Sequence, residues 1–170
     1  MIILLTGTPG TGKSLVAEIL SKRINAQLIP INAIKGIYSG VDEKRETKII
    51  DMKKLTGKIE DMMEGNAVIE GHLSHLLPFG DIVIVLRTDP KELRKRLEEK
   101  GFEKEKTQEN LEAEALDVCL IEAFEKHKTV YEIDTTEKSG EETASDIMAI
   151  LEGKTDEYRP GKIDWSEQFF

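Results

Sequence analysis

Short apolar runs alternate along the chain with longer segments in which apolar residues recur every three or four positions. The short runs are typical of buried parallel strands and cover residues 2–5, 27–31, 67–69, 81–86 and 129–134. The periodic segments predict helices over residues 13–24, 47–63, 91–100, 109–128 and about 140–153. Because strands and helices alternate, we predict an α/β fold with a five-stranded parallel sheet and helices on both faces.

Two segments between these elements have no regular pattern. Residues 32–47 mix apolar and polar positions, and residues 40–46 predict a charged loop. A charged connector is expected over residues 102–108, before the long helix. The helix before that connector has clear end signals, because Asp89 can cap it, Pro90 suits its first position and Gly101 suits its end.

Residues 7–14 read Gly-Thr-Pro-Gly-Thr-Gly-Lys-Ser and fit the pattern G-x-x-x-x-G-K-[ST] between the first strand and the first helix. Glycines let the backbone approach an anion closely, and successive backbone N–H groups then surround phosphate oxygens. Lys13, expected to be exposed at the loop, would reach the β- and γ-phosphates, and the Ser14 hydroxyl would bind Mg²⁺. The alternative is a chance match in a loop without nucleotide, but the flanking strand and helix favour phosphate binding.

Three further polar segments follow predicted strands, at residues 70–72, 87–89 and 135–138. We expect them to meet the phosphate-binding loop, because ligands of such sheets bind at the carboxyl ends of the strands. Glu70 would reach the Mg²⁺ region, since one carboxylate and several waters often suffice, unless it is a capping or solvated glutamate.

His72 would orient or deprotonate an attacking water or contact a phosphate, unless it is a hydrogen-bonded loop histidine. A transition-metal site formed by Glu70, His72 and His75 is a weaker alternative, because two histidines and a carboxylate in a loop are common without a metal.

Positive side chains are frequent at residues 94–100 and at Lys104 and Lys106. Phosphoryl transfer needs cations around the migrating group. However, pairs such as Glu92 and Arg96, four positions apart, are typical of a solvated helix face. We favour the solvated interpretation for most of these residues.

Composition limits the classes of function. The chain has 170 residues, enough for one domain over residues 1–170, and a formal net charge of −9. This charge argues against non-specific binding of nucleic acid and favours a basic protein partner. Cys119 is the one cysteine of the sequence, so no internal disulfide can form, and we expect the protein to work in a reducing, cytoplasmic compartment. We expect Cys119 itself to be a small core residue. The apolar N-terminus is too short for a membrane span and lacks a basic leader.

These motifs, taken in order, resemble those of a known family. Similarity to adenylate kinase isoenzyme 6 extends over nearly the whole chain and is carried by residues 5–14, 70–72, 85–89, 96–102 and 109–114 and by a tail with Trp165. The resemblance implies a three-layer P-loop NTPase fold of the nucleoside monophosphate kinase type. It also implies a monophosphate-binding arm near residues 30–53 and a lid near residues 99–109.

The same resemblance implies roles for individual residues. ATP would be held by Gly10, Gly12, Lys13, Ser14, Leu15, Lys100 and Lys138, the last on the side of the base. Mg²⁺ would lie at Ser14 and Glu70, and Glu70 and His72 would form an acid-x-His motif that the family associates with ATP hydrolysis. Two residues depart from the family pattern: Glu70 stands for an aspartate, and Lys100 stands for an arginine, which exchanges a bidentate fork for a point charge.

Three functions are compatible with these features. The first is transfer of the γ-phosphoryl group of ATP to a nucleoside monophosphate, which the resemblance implies is AMP, together with ATP hydrolysis and a role in small ribosomal subunit (16S rRNA) maturation. The second is an ATPase assembly factor that binds a basic ribosomal protein of the small-subunit platform, and through it the pre-ribosomal particle, with incidental kinase activity. A nucleotide-sensing module with negligible turnover is disfavoured by the acid after the third strand and by the cationic lid.

The tail, residues 154–170, ends in a segment that contains Trp165, Phe169 and Phe170. Asp164 is placed to cap a short helical turn there. Aromatic rings each bury about 150–250 Å², so they should not stay in water. We favour a tail that folds back on its own domain; the alternative is a surface for a basic partner.

Overall fold

The structure of the chain is a computed structural model that describes residues 1–43 and 47–169. Its strands are β1 (Ile2–Thr6), β2 (Gln27–Pro30), β3 (Tyr38–Asp42), β4 (Thr47–Ile50), β5 (Ala67–Glu70), β6 (Ile82–Arg87) and β7 (Val130–Asp134). Its helices are α1 (Lys13–Arg23), α2 (Met52–Met62), α3 (Pro90–Glu99), α4 (Lys104–Ala115), α5 (Val118–Lys126), α6 (Gly140–Leu151) and α7 (Ser166–Phe169).

Five strands form the predicted parallel sheet, in the order β2-β5-β1-β6-β7. Strand β1 is central: Leu5 pairs with Glu70 of β5, and Thr6 pairs with Val85 of β6. The loop that follows β1 therefore emerges between the carboxyl ends of its two neighbours. This is the edge at which ligands of parallel α/β sheets bind.

Helices cover both faces of the sheet, which confirms the three-layer prediction. Successive β1 side chains point to opposite faces. On one face, Leu5 lies in a buried cluster with Leu20 of α1 and Ile147 of α6. On the other face, Leu4 lies in a second cluster with Leu55 of α2 and with residues of α5. Each fully buried leucine contributes about 2 kcal/mol, so the two clusters hold the layers together.

The helix predicted over residues 47–63 is wrong at its start. Residues Thr47–Ile50 form β4, which pairs antiparallel with β3 in a separate hairpin. The helix begins only at Met52, because the Asp51 carboxylate caps it by accepting from the backbone N–H groups of Lys53 and Lys54. The charged loop predicted over residues 40–46 is also corrected, since residues 40–42 belong to β3. Residues 44–46 lie outside the described residues.

The long helix predicted over residues 109–128 is two helices, α4 and α5. The first starts earlier than expected, at Lys104, within the predicted connector. The break occurs at Asp117, which has a φ of 56° and pairs with the buried guanidinium of Arg87. A tertiary ion pair thus interrupts a segment whose local pattern favours one continuous helix.

The start signals predicted for α3 are confirmed: Asp89 accepts from the N–H of Lys91 at 2.8 Å, and Pro90 is the first helical residue.

The described part of the tail folds back on the domain, as favoured from the sequence. The backbone N–H groups of Lys162 and Ile163 donate to Glu132 Oε1 of β7, at 2.9 and 3.3 Å. Asp164 accepts from the N–H of Ser166 at 2.9 Å and so caps α7, which packs on α4. Trp165 is half-buried. The prediction for Phe170 and for the Phe169 side chain lies outside the described residues.

Candidate functional site

The loop between β1 and α1 has a conformation that depends on glycine. Gly7 and Gly10 have φ angles of 138° and 96°, which other residues rarely adopt. A Cβ atom at Gly7 would lie 2.4 Å from the carbonyl oxygen of Leu86, and one at Gly10 would lie 2.8 Å from the Leu93 side chain. The loop therefore packs tightly against β6 and α3 on one side and lines a cavity on the other.

Lys13 is only 8% exposed, so the expectation of an exposed loop lysine is wrong. Its ammonium donates to the carbonyl oxygens of Gly7 at 2.8 Å and Thr8 at 2.9 Å. Burial lowers the pKa of Lys13 to about 8. The loop thus curls around the lysine and holds its charge with backbone carbonyl dipoles.

Glu70 lies at the end of β5 and faces the first turn of α1. It is 4% exposed, so it is not a solvated glutamate. The Ser14 hydroxyl donates to Glu70 Oε1 at 3.2 Å. Hydroxyl and carboxylate oxygens are donors that Mg²⁺ takes, and the open space beside them has room for the waters that Mg²⁺ keeps. These two residues therefore fit a Mg²⁺ site.

Two cavities meet at the loop. The P-loop cavity has a volume of about 620 Å³ and is lined by Gly10, Gly12, Lys13, Ser14, Leu15, Arg96, Glu99 and Lys100. The arm cavity, of about 270 Å³, lies towards the β3–β4 hairpin, and its lining includes Ile31, Asn32, Ile37, Tyr38, Ile50, Glu70, His72 and Phe102. Both cavities are lined by Gly10, Lys13, Ser14 and Lys100. A ligand in one cavity would therefore meet a ligand in the other beside Lys13.

His72 lines the arm cavity two residues after Glu70. Its side chain is exposed towards the cavity, but the surrounding walls remove much of its hydration. This desolvation, together with the positive charge of Lys13, lowers the pKa of His72 to about 4. The imidazole is therefore neutral at pH 7 and faces the space beside the lysine.

His75, by contrast, is fully buried and structural. Its Nε2 lies 2.8 Å from Glu122 Oε2, and its Nδ1 lies 2.6 Å from Thr6 Oγ1. An ionised carboxylate only accepts, so Nε2 carries the proton and Nδ1 accepts from the threonine in the neutral ring. Within the described ranges, no group of three His, Cys, Asp or Glu residues could hold a metal ion. The transition-metal alternative therefore finds no support there.

Comparison with known proteins agrees with this architecture. A family model described as "AAA domain" matches residues 3–117. A protein of Methanosarcina barkeri named "Putative adenylate kinase" is 44% identical over 97% of both chains. One of the same name from Archaeoglobus fulgidus is 46% identical over 97% of this chain and 92% of its own.

The chain belongs to this archaeal adenylate kinase family. Two solved structures have a similar fold, although their sequence identity to this chain is lower. The YorR protein of Bacillus subtilis, in complex with phosphorylated GDP, has a TM-score of 0.65 and 23% identity over 91% of this chain and 97% of its own. Thymidylate kinase from Candida albicans has a TM-score of 0.60 and 19% identity over 90% of this chain and 91% of its own. The fold is thus that of P-loop kinases.

The residues that the resemblance implies for ATP binding line two different cavities of the structure. Six of them line the P-loop cavity: Gly10, Gly12, Lys13, Ser14, Leu15 and Lys100. Lys138 does not, because its ammonium donates to Asp146 of α6 at 2.6 Å. It lines a different cavity beside Tyr158. Ser139, the residue after Lys138, caps α6 with a capping box, so the chain turns into that helix directly after Lys138.

Arg96 is a site residue that the sequence analysis missed. Its ion pair with Glu92 exists, at 3.2 Å, as the helical spacing predicted. Its guanidinium also donates to the carbonyl oxygens of Thr135 at 3.0 Å and Thr136 at 2.9 Å, so it lines the P-loop cavity instead of facing solvent. The spacing of Glu92 and Arg96 in the sequence indicates a surface ion pair and gives no sign that Arg96 also lines the cavity. Lys95 is exposed and pairs with Glu92, as the solvated interpretation predicts.

The segments 87–89 and 135–138 lie beside the loop, as expected, but they support it and do not line the P-loop or arm cavity. Arg87 is buried and turned away into ion pairs. The Thr88 hydroxyl lies 2.8 Å from that of Thr135, which in turn lies 3.1 Å from the carbonyl oxygen of Thr11 in the loop.

Cys119 packs against the core, as predicted. Burial raises the pKa of its thiol to about 11, which disfavours the nucleophilic thiolate. As for the membrane, no described helix is long and apolar enough to cross a bilayer.

Proposed function

We propose that this protein transfers the γ-phosphoryl group of ATP to a nucleoside monophosphate, with AMP as the preferred acceptor. One observation carries the proposal: the P-loop cavity and the arm cavity share Lys13, Ser14 and Lys100. A pure ATPase needs one nucleotide chamber and a water, whereas a second chamber with largely apolar walls suits the base and sugar of an acceptor. The choice of AMP rests on the name of the archaeal relatives.

Catalysis in this proposal is mainly positioning and charge stabilisation. The triphosphate would lie along the loop, with its nucleoside towards Leu15 and Arg96. The acceptor would enter the arm cavity, formed by the arm near residues 30–53, with its phosphate towards Lys13. The ammonium would then exchange its carbonyl partners, Gly7 and Thr8, for phosphate oxygens.

Two further groups complete the charge balance. Ser14 and Glu70 would hold Mg²⁺, which supplies positive charge to the phosphates when it is bound. Lys100, in the lid near residues 99–109, lines both cavities together with Lys13 and would add a second positive charge beside the transferred group. A lysine there offers a point charge where a family arginine would offer a fork.

The arm cavity provides the test. Tyr38 lines that cavity on β3, and Val41 lies on the same strand, exposed and outside the lining. Tyr38→Ala should raise the KM for AMP about tenfold with the KM for ATP unchanged, because it removes an aromatic wall of the acceptor site. Val41→Ala is the matched control and should change neither constant. Equal effects of both substitutions on both constants would contradict an acceptor site in the arm cavity.

ATP hydrolysis is a second candidate, favoured by His72. A neutral imidazole in the arm cavity, near Lys13, is placed to orient a water when no acceptor is bound. In this proposal the two reactions share one nucleotide site and differ in what occupies the arm cavity.

A role in small ribosomal subunit maturation, in a cytoplasmic setting, is the third part of the proposal and rests on the sequence resemblance. The formal net charge of −9 supports a basic partner such as a ribosomal protein of the small-subunit platform. Adding that protein to the enzyme should stimulate ATP hydrolysis at low ionic strength and less so at high salt. A rate independent of the ribosomal protein would remove this part of the proposal.

A further inference from the structure

A buried carboxylate outside the two cavities contacts the phosphate-binding loop. Glu114, at the carboxyl end of α4, is 2% exposed. Its Oε2 accepts from the Thr8 hydroxyl, and its Oε1 accepts from Arg87 Nε at 2.8 Å and from the backbone N–H of Thr88 at 3.0 Å. Both oxygens are thus satisfied, which a buried carboxylate requires.

Arg87 joins Glu114 to two other acids. The guanidinium, 1% exposed, also pairs with Asp117 and with Glu132, the latter at 3.2 Å. Glu132 accepts in addition from the backbone of the tail, away from the nucleotide site. Of these three carboxylates, as far as the described residues show, Glu114 is the one that hydrogen-bonds to the loop.

Thr8 leads from this ion-pair cluster to the lysine of the site. Its hydroxyl donates to Glu114, and its backbone carbonyl accepts from Lys13 Nζ at 2.9 Å and from the Thr11 hydroxyl at 2.9 Å. A displacement of Thr8 would therefore move the carbonyl that holds the lysine. The Thr8 hydroxyl itself does not line either cavity.

We propose that Glu114 is a positioning residue that holds the phosphate-binding loop in its ATP-binding shape through the hydroxyl of Thr8. The inference rests on the proposed function, whose nucleotide site it deepens. Because Glu114 lies in the last turn of α4, which starts in the lid segment near residues 99–109, the same contact joins this helix to the loop. Without this contact the loop is less ordered in the free protein. ATP must then order the loop when it binds, and this cost lowers the affinity for ATP.

Threonine variants test the hydrogen bond directly. Thr8→Val keeps the shape of the side chain but removes the hydroxyl, and we expect about a tenfold rise in the Kd and KM for ATP. The KM for AMP should change much less, since most walls of the arm cavity lie on elements other than the loop. Thr8→Ser restores a hydroxyl and should recover most of the affinity. Thr143→Val is the matched control: it removes a buried hydroxyl that donates to the carbonyl oxygen of Ser139 at the start of α6, and it should leave both constants unchanged.

Glutamate variants separate positioning from stability. Glu114→Gln and Glu132→Gln each remove one charge that faces Arg87, so both should lower the melting temperature. Only Glu114→Gln should also raise the Kd for ATP, measured by calorimetry at a temperature where both variants are folded. The double variant Thr8→Val with Glu114→Gln should bind ATP about as tightly as the single variant with the larger Kd, because both changes act on the same hydrogen bond.

The outcomes distinguish this inference from the proposed function. If the wild-type protein fails to bind ATP, the proposed function is wrong and this inference with it. If it binds ATP but Thr8→Val binds as tightly as Thr143→Val, the positioning role is wrong and the kinase proposal stands. Equal ATP affinities in Glu114→Gln and Glu132→Gln would overturn it as well. Should Glu114→Gln fail to fold, the threonine series decides alone.

Discussion

The hydroxyl of Ser14 lies 3.2 Å from a carboxylate oxygen of Glu70, although 56 positions separate the two residues in the chain. Strand β1 pairs with β5 and leads directly into the loop before α1, so the sheet itself brings the two oxygens together. Together with Lys13, they place a positive charge and two oxygens that fit a Mg²⁺ site at the point where the two cavities meet.

Removing the charge of Glu70 should abolish most of the turnover. Glu70→Gln retains the size of the buried side chain, so the fold should persist, but kcat should fall by about a hundredfold or more because metal-held charge stabilisation is lost. Glu70→Asp, which introduces the residue that the sequence resemblance implies at this position, should retain substantial activity. Steady-state kinetics at saturating Mg²⁺ measure both. An active Glu70→Gln variant would contradict the assigned role.

The pH dependence of ATP use should report the lowered pKa of Lys13, about 8. The ammonium must be protonated to attract phosphate, and it is protonated below that pKa. Since kcat/KM reports the free enzyme, kcat/KM for ATP should be level below about pH 8 and fall about tenfold per unit above it. Bound nucleotide adds negative charge, so the fall in kcat should come at higher pH.

A matched lysine provides the control for this profile. Lys138 pairs with Asp146 outside the P-loop cavity, so Lys138→Ala should leave the pH profile unchanged. A wild-type profile that stays level to pH 10 would mean that Lys13 does not titrate as its burial indicates.

The structure also shows which features the sequence could predict. The central strands and the loop after β1 were predictable because continuous apolar runs and a fixed glycine-lysine spacing are local signals. Strand β4 was not, because Ile49 and Ile50 fit a helical period equally well and their pairing partner lies in β3. The break at Asp117 was hidden too, since it is set by an ion pair with Arg87, 30 positions away.

Within the candidate site, too, the sequence could predict the place of some residues and not of others. Ser14 and Glu70 could be placed because each follows a strand in a recognisable motif. Arg96 and Lys138 could not, because several partners compete for a long cationic side chain and only the folded chain decides between them. Arg96 reaches the turn after β7, whereas Lys138 turns to Asp146.

His72→Ala should separate hydrolysis from transfer. If the neutral imidazole orients water, its loss should lower ATP hydrolysis about tenfold or more. Transfer to a monophosphate should fall much less, because the arm cavity positions the acceptor. The two rates are measured in parallel, as phosphate release without acceptor and as ADP formation with it. Equal losses would instead indicate a shared role, such as contact with a phosphate.

Deleting residues 160–170 should lower the melting temperature by about 5 °C, since the deletion removes the N–H groups of Lys162 and Ile163 from buried Glu132 and uncovers α4. A shorter deletion of residues 166–170 keeps both N–H groups and should cost less. Neither deletion should change kcat. An unchanged melting temperature together with weaker binding of a basic ribosomal protein would instead identify the tail as a partner surface.

The most direct measurement of the central claim is the nucleotide balance after incubation of the protein and Mg²⁺ with ATP alone and with ATP plus each of AMP, CMP, GMP and UMP. The account predicts that ADP forms faster with AMP than with ATP alone, that two ADP appear for each AMP consumed, and that little inorganic phosphate accompanies them. ADP formation at one rate in every mixture, with phosphate released and AMP unconsumed, would contradict the kinase assignment and leave an ATPase.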